Sequence, residues 1–158
     1  MIYITSYVFF WILSLIYALL NKGNGESFVY NLFMIQLIGN ISFFGIFNFI
    51  GHVLMRKKVA KSIGWVSNGF QVELGFVSLG IGLCGILSYW FRDGFWLSTL
   101  IPITIFLIGA AFLHIKEMIK ENNFNSGNVL IIIPDLLIPM TLWILFFYQY
   151  NVESGNSL

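Results

Sequence analysis

The sequence predicts an all-α integral membrane bundle of five transmembrane helices, and three observations carry that prediction. Hydrophobic residues make up 58% of the chain and charged residues 9%, against about 45–50% and 25% in an ordinary soluble domain. Mean hydropathy is +0.86, and seventeen Phe, seven Tyr and five Trp leave too little polar surface to cover a globule in water. The apolar residues also gather into runs bounded by polar breaks, each long enough to cross roughly 30 Å of hydrocarbon at about 1.5 Å per residue.

The first run, 2–20, is interrupted only by Thr5, Ser6 and Ser14. It lacks a basic n-region and a small-x-small cleavage site, so it reads as a retained helix and not a signal peptide. The second, 28–55, is long enough to require tilt or protrusion. The third, 68–91, opens on Asn68 with Gln71 three residues later, the spacing of a capping box. The fourth covers 95–119, its apolar part closing at Lys116. The fifth covers 129–150, and Pro134 predicts a distortion around Ile133-Pro134-Asp135, because proline removes a backbone donor. The breaks have ordinary turn chemistry: Asn21-Lys22-Gly23-Asn24-Gly25, Arg92-Asp93-Gly94, and 122–128 with Gly127. These runs fill the chain, which predicts a single membrane domain over 1–158.

Orientation follows from the basic residues. Arg56, Lys57, Lys58 and Lys61 sit between the second and third spans, and the positive-inside rule places that connection in the cytoplasm. Alternation then puts Lys116 and Lys120 on the same side, Lys22 and Arg92 opposite, the N-terminus in the cytoplasm and the C-terminus outside. A net charge of +1 gives no electrostatic footprint for nucleic acid. The expected partner is the lipid bilayer, with a homo-oligomer or a second membrane protein left open. Cys84 is the only cysteine, which excludes an intrachain disulfide and any CxxC motif.

Small residues mark helix contacts. Gly75, Ser78, Gly82 and Gly85 fall on one stripe of the third span with Gly80 beside it, and Gly39, Gly45 and Gly51 recur along the second. Small side chains let backbones approach where lipid supplies no hydrophobic drive, so the third span is expected to be central. Gly109-Ala110-Ala111 predicts a similar contact in the fourth.

The polar residues carry the functional argument. Gln36, Asn40, Asn48 and His52 are separated by multiples of four, so one face of the second span must point at protein or water. For Gln36 and Asn40 the favoured reading is interhelical hydrogen bonding. His52, Glu73, His114 and Asp135 lie about 6, 7, 3 and 10 Å inside the cytoplasmic ends of four different spans, at about 1.5 Å per residue. Gln71 and Glu117 flank that set. Ionisable groups in membrane spans usually face an interior cavity and pair with one another, so the default expectation is a functional site.

Three chemistries suit the set. Imidazoles with carboxylates ligate a divalent metal ion such as zinc, manganese or iron; two histidines alone ligate haem b axially; a His and carboxylate chain passes protons. The rival reading is a non-catalytic scaffold or accessory subunit in which the same groups lock the helices in register. GxSxG, Walker and HExxH motifs are absent from the sequence, and His114-Ile115-Lys116-Glu117 is a bare H-x-x-E.

Gly51-His52, Ile63-Gly64-Trp65, Phe70-Gln71-Val72-Glu73-Leu74-Gly75, Gly109-Ala110-Ala111 with His114, Asn123-Phe124 to Gly127-Asn128, and Asp135 together resemble the signature of a small prokaryotic multi-pass membrane family of unknown function. The resemblance spans roughly residues 51–139. It implies that the ionisable set belongs to a family pattern and that the chain sits in a prokaryotic cytoplasmic membrane, and it supplies no activity.

Overall fold

The structure, a computed structural model, describes residues 2–23 and 25–155, with side chains as far as residue 151. Asn24, assigned above to the first turn, lies outside the described residues. The elements are α1 (Ile2–Leu20), α2 (Phe28–Phe49), a π-helical turn (Ile50–Leu54), α3 (Arg56–Ile63), α4 (Gly69–Leu87), α5 (Gly94–Lys120), α6 (Ser126–Leu130) and α7 (Ile132–Gly155), with no strand among the described residues. Five helical segments are long and apolar enough to cross a membrane. Their outer surfaces carry exposed Phe9, Ile105, Phe112 and Phe147, while Ser14, Gln36, Asn40, Asn128 and Asp135 are buried. Polar inside and apolar outside is the distribution expected when the solvent is lipid.

The helix ends show local chemistry. Ser27 caps α2, its side chain accepting from the Tyr30 amide at 3.0 Å. Asn68 caps α4 by accepting from the Gln71 amide at 3.3 Å. The capping box is only half made, because the Gln71 side chain turns away to accept from Ser67 Oγ at 2.9 Å and to donate to the Arg56 carbonyl at 3.1 Å. The proline-linked distortion falls at Ile131, where α6 gives way to α7. A proline ring clashes with the carbonyl four residues earlier, which for Pro134 is Leu130, the last residue of α6.

The centre of the bundle is α2, which lies closest to α4 and α1 and shares a side-chain core with α5 and α7. Phe33, Leu37 and Ile41 of α2, Leu100, Ile103 and Leu107 of α5, and Ile138 and Leu142 of α7 are all nearly inaccessible. Cross-links are polar: Tyr7 Oη and Thr141 Oγ1 lie 2.6 Å apart between α1 and α7, and Trp143 Nε1 donates to Thr104 Oγ1 at 2.8 Å between α7 and α5. The expectation of a central third span is corrected. The glycine stripe of α4 is buried as its spacing implies, against Gly45, Ser42 and Val53, but its other face is open. Only 22% of the α4 span is buried, compared with 50% of the α2 span. The hub is α2.

A second correction concerns the basic connection, which forms the helix α3. Its end is a Schellman motif: Gly64 takes φ 76°, its amide bonds the Lys61 carbonyl at 3.3 Å, and the Trp65 amide reaches back to the Ala60 carbonyl at 2.9 Å. A third concerns Gly109, read as a helix contact. A Cβ there would meet nothing within 4 Å, because the residue faces a cavity.

Candidate functional site

At the end of the bundle that carries α3, the helices enclose a cavity of about 680 Å³. Its walls are mostly apolar, with Phe44, Phe47, Ile105 and Phe106 among them, and its polar lining comes from Tyr3, Asn48, His52, Ser62, Trp65, His114 and Asp135. The N-terminus of α1, the C-terminal half of α2, α3, α5 and the start of α7 all contribute. Each polar group has an identifiable reason for its position.

His52 lies in the π-helical turn, where Ile50–Leu54 departs from the α-helical path of α2. Such turns shift the azimuth of every later side chain and recur at functional sites. Asp135 lies in the first turn of α7, immediately after the proline break, where the helix N-terminus favours a carboxylate. It is 2% exposed.

His114 is held most tightly. Its Nδ1 sits 2.7 Å from Asn128 Oδ1, while Asn128 Nδ2 donates to the His114 carbonyl at 3.1 Å and to the Asn123 carbonyl at 3.0 Å. Because both amide donors point at carbonyls, the amide oxygen is the atom facing the ring. Nδ1 is therefore the donor, and Nε2 of the neutral ring keeps its lone pair. The ring stacks on Trp65, with centroids 5.1 Å apart and planes at 29°. Asn123 Nδ2 in turn donates to the Ile63 carbonyl at 2.7 Å, and Asn125 Nδ2 donates to Asn123 Oδ1 at 2.6 Å. Gly127 packs on the Ser62 carbonyl. The end of α3, the Gly64-Trp65 turn and residues 123–128 thus interlock as a cap over the cavity and pin the imidazole.

Of the four ionisable residues singled out from sequence, His52, His114 and Asp135 line this cavity. Glu73 does not: it is exposed on α4. Gln71 serves the turn between α3 and α4, and Glu117 lies one helical turn beyond the cavity-lining Leu113. The polar stripe divides. Gln36 Nε2 donates to Ser14 Oγ at 3.1 Å and Asn40 Nδ2 donates to Gln36 Oε1 at 2.6 Å, a structural chain away from the cavity. Asn48 belongs to the cavity and accepts from the Tyr3 hydroxyl at 2.8 Å. Among the described residues, no group of three or more His, Cys, Asp and Glu is placed to hold a metal ion.

Trp65, Tyr3, Asn123 and Asn128 received no role from sequence. The available signals were the tryptophan directly after a glycine that ends a basic segment, and the density of asparagine at 122, 123, 125 and 128 between two apolar runs.

Three cavity-lining residues each carry a buried side-chain atom without a hydrogen-bond partner, His52 Nδ1, Trp65 Nε1 and Asp135 Oδ2; Asn31 Nδ2, Asn40 Oδ1, Ser42 Oγ and Gln149 Oε1 share that state elsewhere in the bundle. Buried polar atoms are overwhelmingly paired in folded proteins, because an orphan costs about 1–3 kcal/mol.

The chain belongs to a family of unknown function, DUF6790, which its sequence matches over residues 1–155. No curated protein and no solved structure matches it.

Proposed function

We propose that this membrane protein binds a small hydrogen-bonding ligand in the cavity beneath α3, with His52, His114, Asp135 and Trp65 as its polar contacts. The observation that carries this reading is one space of about 680 Å³ whose lining includes three residues with unpaired buried side-chain atoms. A lipid-surrounded protein has little reason to keep such atoms apart from one another unless something else pairs with them. The imidazoles and Asp135 also suit proton exchange with that ligand, and Glu73 takes no part.

Blocking the space tests the reading. Gly109 lines the cavity and a Cβ there meets nothing within 4 Å, so Gly109→Trp is the substitution chosen to place a ring in that space. Extraction and mass spectrometry of the purified wild-type chain should find a stoichiometric small molecule that is absent from Gly109→Trp. A Soret band or one equivalent of a transition metal in the wild type would return the site to haem or metal chemistry. Equal content in both proteins would contradict the proposal.

The cavity lies at the end of the bundle bearing Arg56, Lys57, Lys58 and Lys61, all exposed. We assign that end to the cytoplasm by the positive-inside rule, with the N-terminus inside, the C-terminus outside and the prokaryotic cytoplasmic membrane as the host. In a Cys84→Ser background, cysteines at Lys58 and Lys22 should then be labelled by an impermeant reagent from the inside and the outside respectively. Labelling of both from one side would overturn the assignment.

A further inference from the structure

We infer that the cavity takes a single-chain amphiphile with an ammonium head, which enters from the lipid between α4 and α5. This rests on the cavity reading above and adds the ligand's chemical class and its route.

The route follows from residues that line the cavity and also face outward. Ile105, Gly109 and Leu113 recur at four-residue spacing along α5, line the cavity, and are exposed on the outside of the bundle, Ile105 to 69% and Leu113 to 45%. Across from them, Leu74 of α4 lines the same space and is 37% exposed. A residue with both properties marks a mouth; Ile2, 47% exposed, and Met55, 41% exposed, share them at the α3 end, whereas the α4–α5 set lies within two spans. This mouth is edged by apolar side chains within two membrane spans, so it opens on hydrocarbon and admits a molecule already dissolved in lipid.

The head follows from charge. Asp135 is 2% exposed and its Oδ2 has no partner. The basic residues at this end, Arg56, Lys57, Lys58, Lys61, Lys116 and Lys120, are all exposed, and the ion pair seen among the described residues, Arg92 with Glu26 at 3.6 Å, is at the opposite end. No Lys or Arg therefore balances this carboxyl group, which is neutral when buried alone and ionises only when a counter-charge with hydrogen-bond donors reaches it. An ammonium head supplies both. His114 Nε2 offers a second acceptor, and the faces of Tyr3, Phe44, Phe47 and Phe106 suit a cation. A head that carries only phosphate or sulfate, with no ammonium, is not recognised, since the cavity lining contains no Lys or Arg. The volume of about 680 Å³ lies within the roughly 300–1,000 Å³ range of small-molecule sites, suited to one chain.

The test is a titration of the full chain in phosphatidylcholine nanodiscs with dodecylammonium, dodecanol and dodecyl sulfate, using empty discs to subtract partitioning. Dodecylammonium should bind saturably, about tenfold or more tighter than dodecanol, and dodecyl sulfate should not bind saturably. Asp135→Asn, which keeps shape and an acceptor, should remove that preference, and Gly109→Trp should abolish binding. Competition by lysophosphatidylethanolamine would assign the ammonium to a lipid headgroup; its failure to compete would assign it to a free amine. Equal affinity for dodecanol and dodecylammonium, with both lost in Gly109→Trp, would overturn the ammonium head and leave the cavity reading standing. No saturable binding of any probe would overturn the amphiphile. The three-probe comparison on the wild type decides the head even where Asp135→Asn fails to fold.

Discussion

Gly45→Leu is expected to force α4 away from α2 and to destabilise the detergent-solubilised chain by about 2–4 kcal/mol. A Cβ at Gly45 would run into the backbone of Gly82 and the carbonyl oxygen of Ser78; one at Gly82 would meet Gly45 Cα at 3.0 Å and Ile46 N at 3.1 Å. Backbone atoms cannot rotate aside as a side chain can, so the helices themselves must separate. Few other contacts hold α4, because its outer face is exposed. The comparison is Gly80→Leu on the same helix, where a Cβ meets nothing within 4 Å and the change stays within about 0.5 kcal/mol. Thermal unfolding of both variants checks this, and equal losses would mean that the α2–α4 contact is not close.

Asn128→Leu is expected to cost about 3 kcal/mol, although the side chain changes little in volume. Asn128 is inaccessible, and its loss strands His114 Nδ1, takes the side-chain partner from the Asn123 carbonyl, and removes the second donor to the His114 carbonyl, which keeps its bond within α5. Each orphaned buried group costs about 1–3 kcal/mol, partly offset as the neighbours relax. The damage should extend to function, because the imidazole then loses both its tautomer and its orientation over Trp65. Dodecylammonium binding should weaken together with the thermal midpoint. Asn125→Leu, at an exposed position donating one side-chain bond to Asn123, should be milder on both counts.

The five spans were legible because apolar run length is a one-dimensional property. The glycine face of α4 was legible for a related reason: Gly75, Ser78, Gly82 and Gly85 share one azimuth. Centrality was not, since a stripe shows that one face is packed and says nothing about the face behind it. The same azimuth would have removed Glu73 from the site. At about 100° per residue, Glu73 stands roughly 200° from Gly75 and therefore points away from α2. Depth along the membrane normal groups residues that lie on opposite sides of a bundle. Helix α3 was hidden because its four basic residues outweigh the apolar Val59, Ala60 and Ile63, although Gly64 after Lys61 is a helix-end signal. The π-helical turn at His52 left no mark in the periodicity, being a tertiary adjustment that packs Gly51 against Val59 of α3.

The most direct measurement is an experimental structure of the full chain purified from its membrane and held in lipid nanodiscs with no ligand added. The expected result is density inside the cavity, reaching from the α4–α5 mouth to within hydrogen-bond distance of Asp135 Oδ2 and at least one of His52 Nδ1 and Trp65 Nε1. A cavity collapsed so that Asp135, His52 and Trp65 bond to one another would contradict the account, leaving these residues as a structural lock between helices.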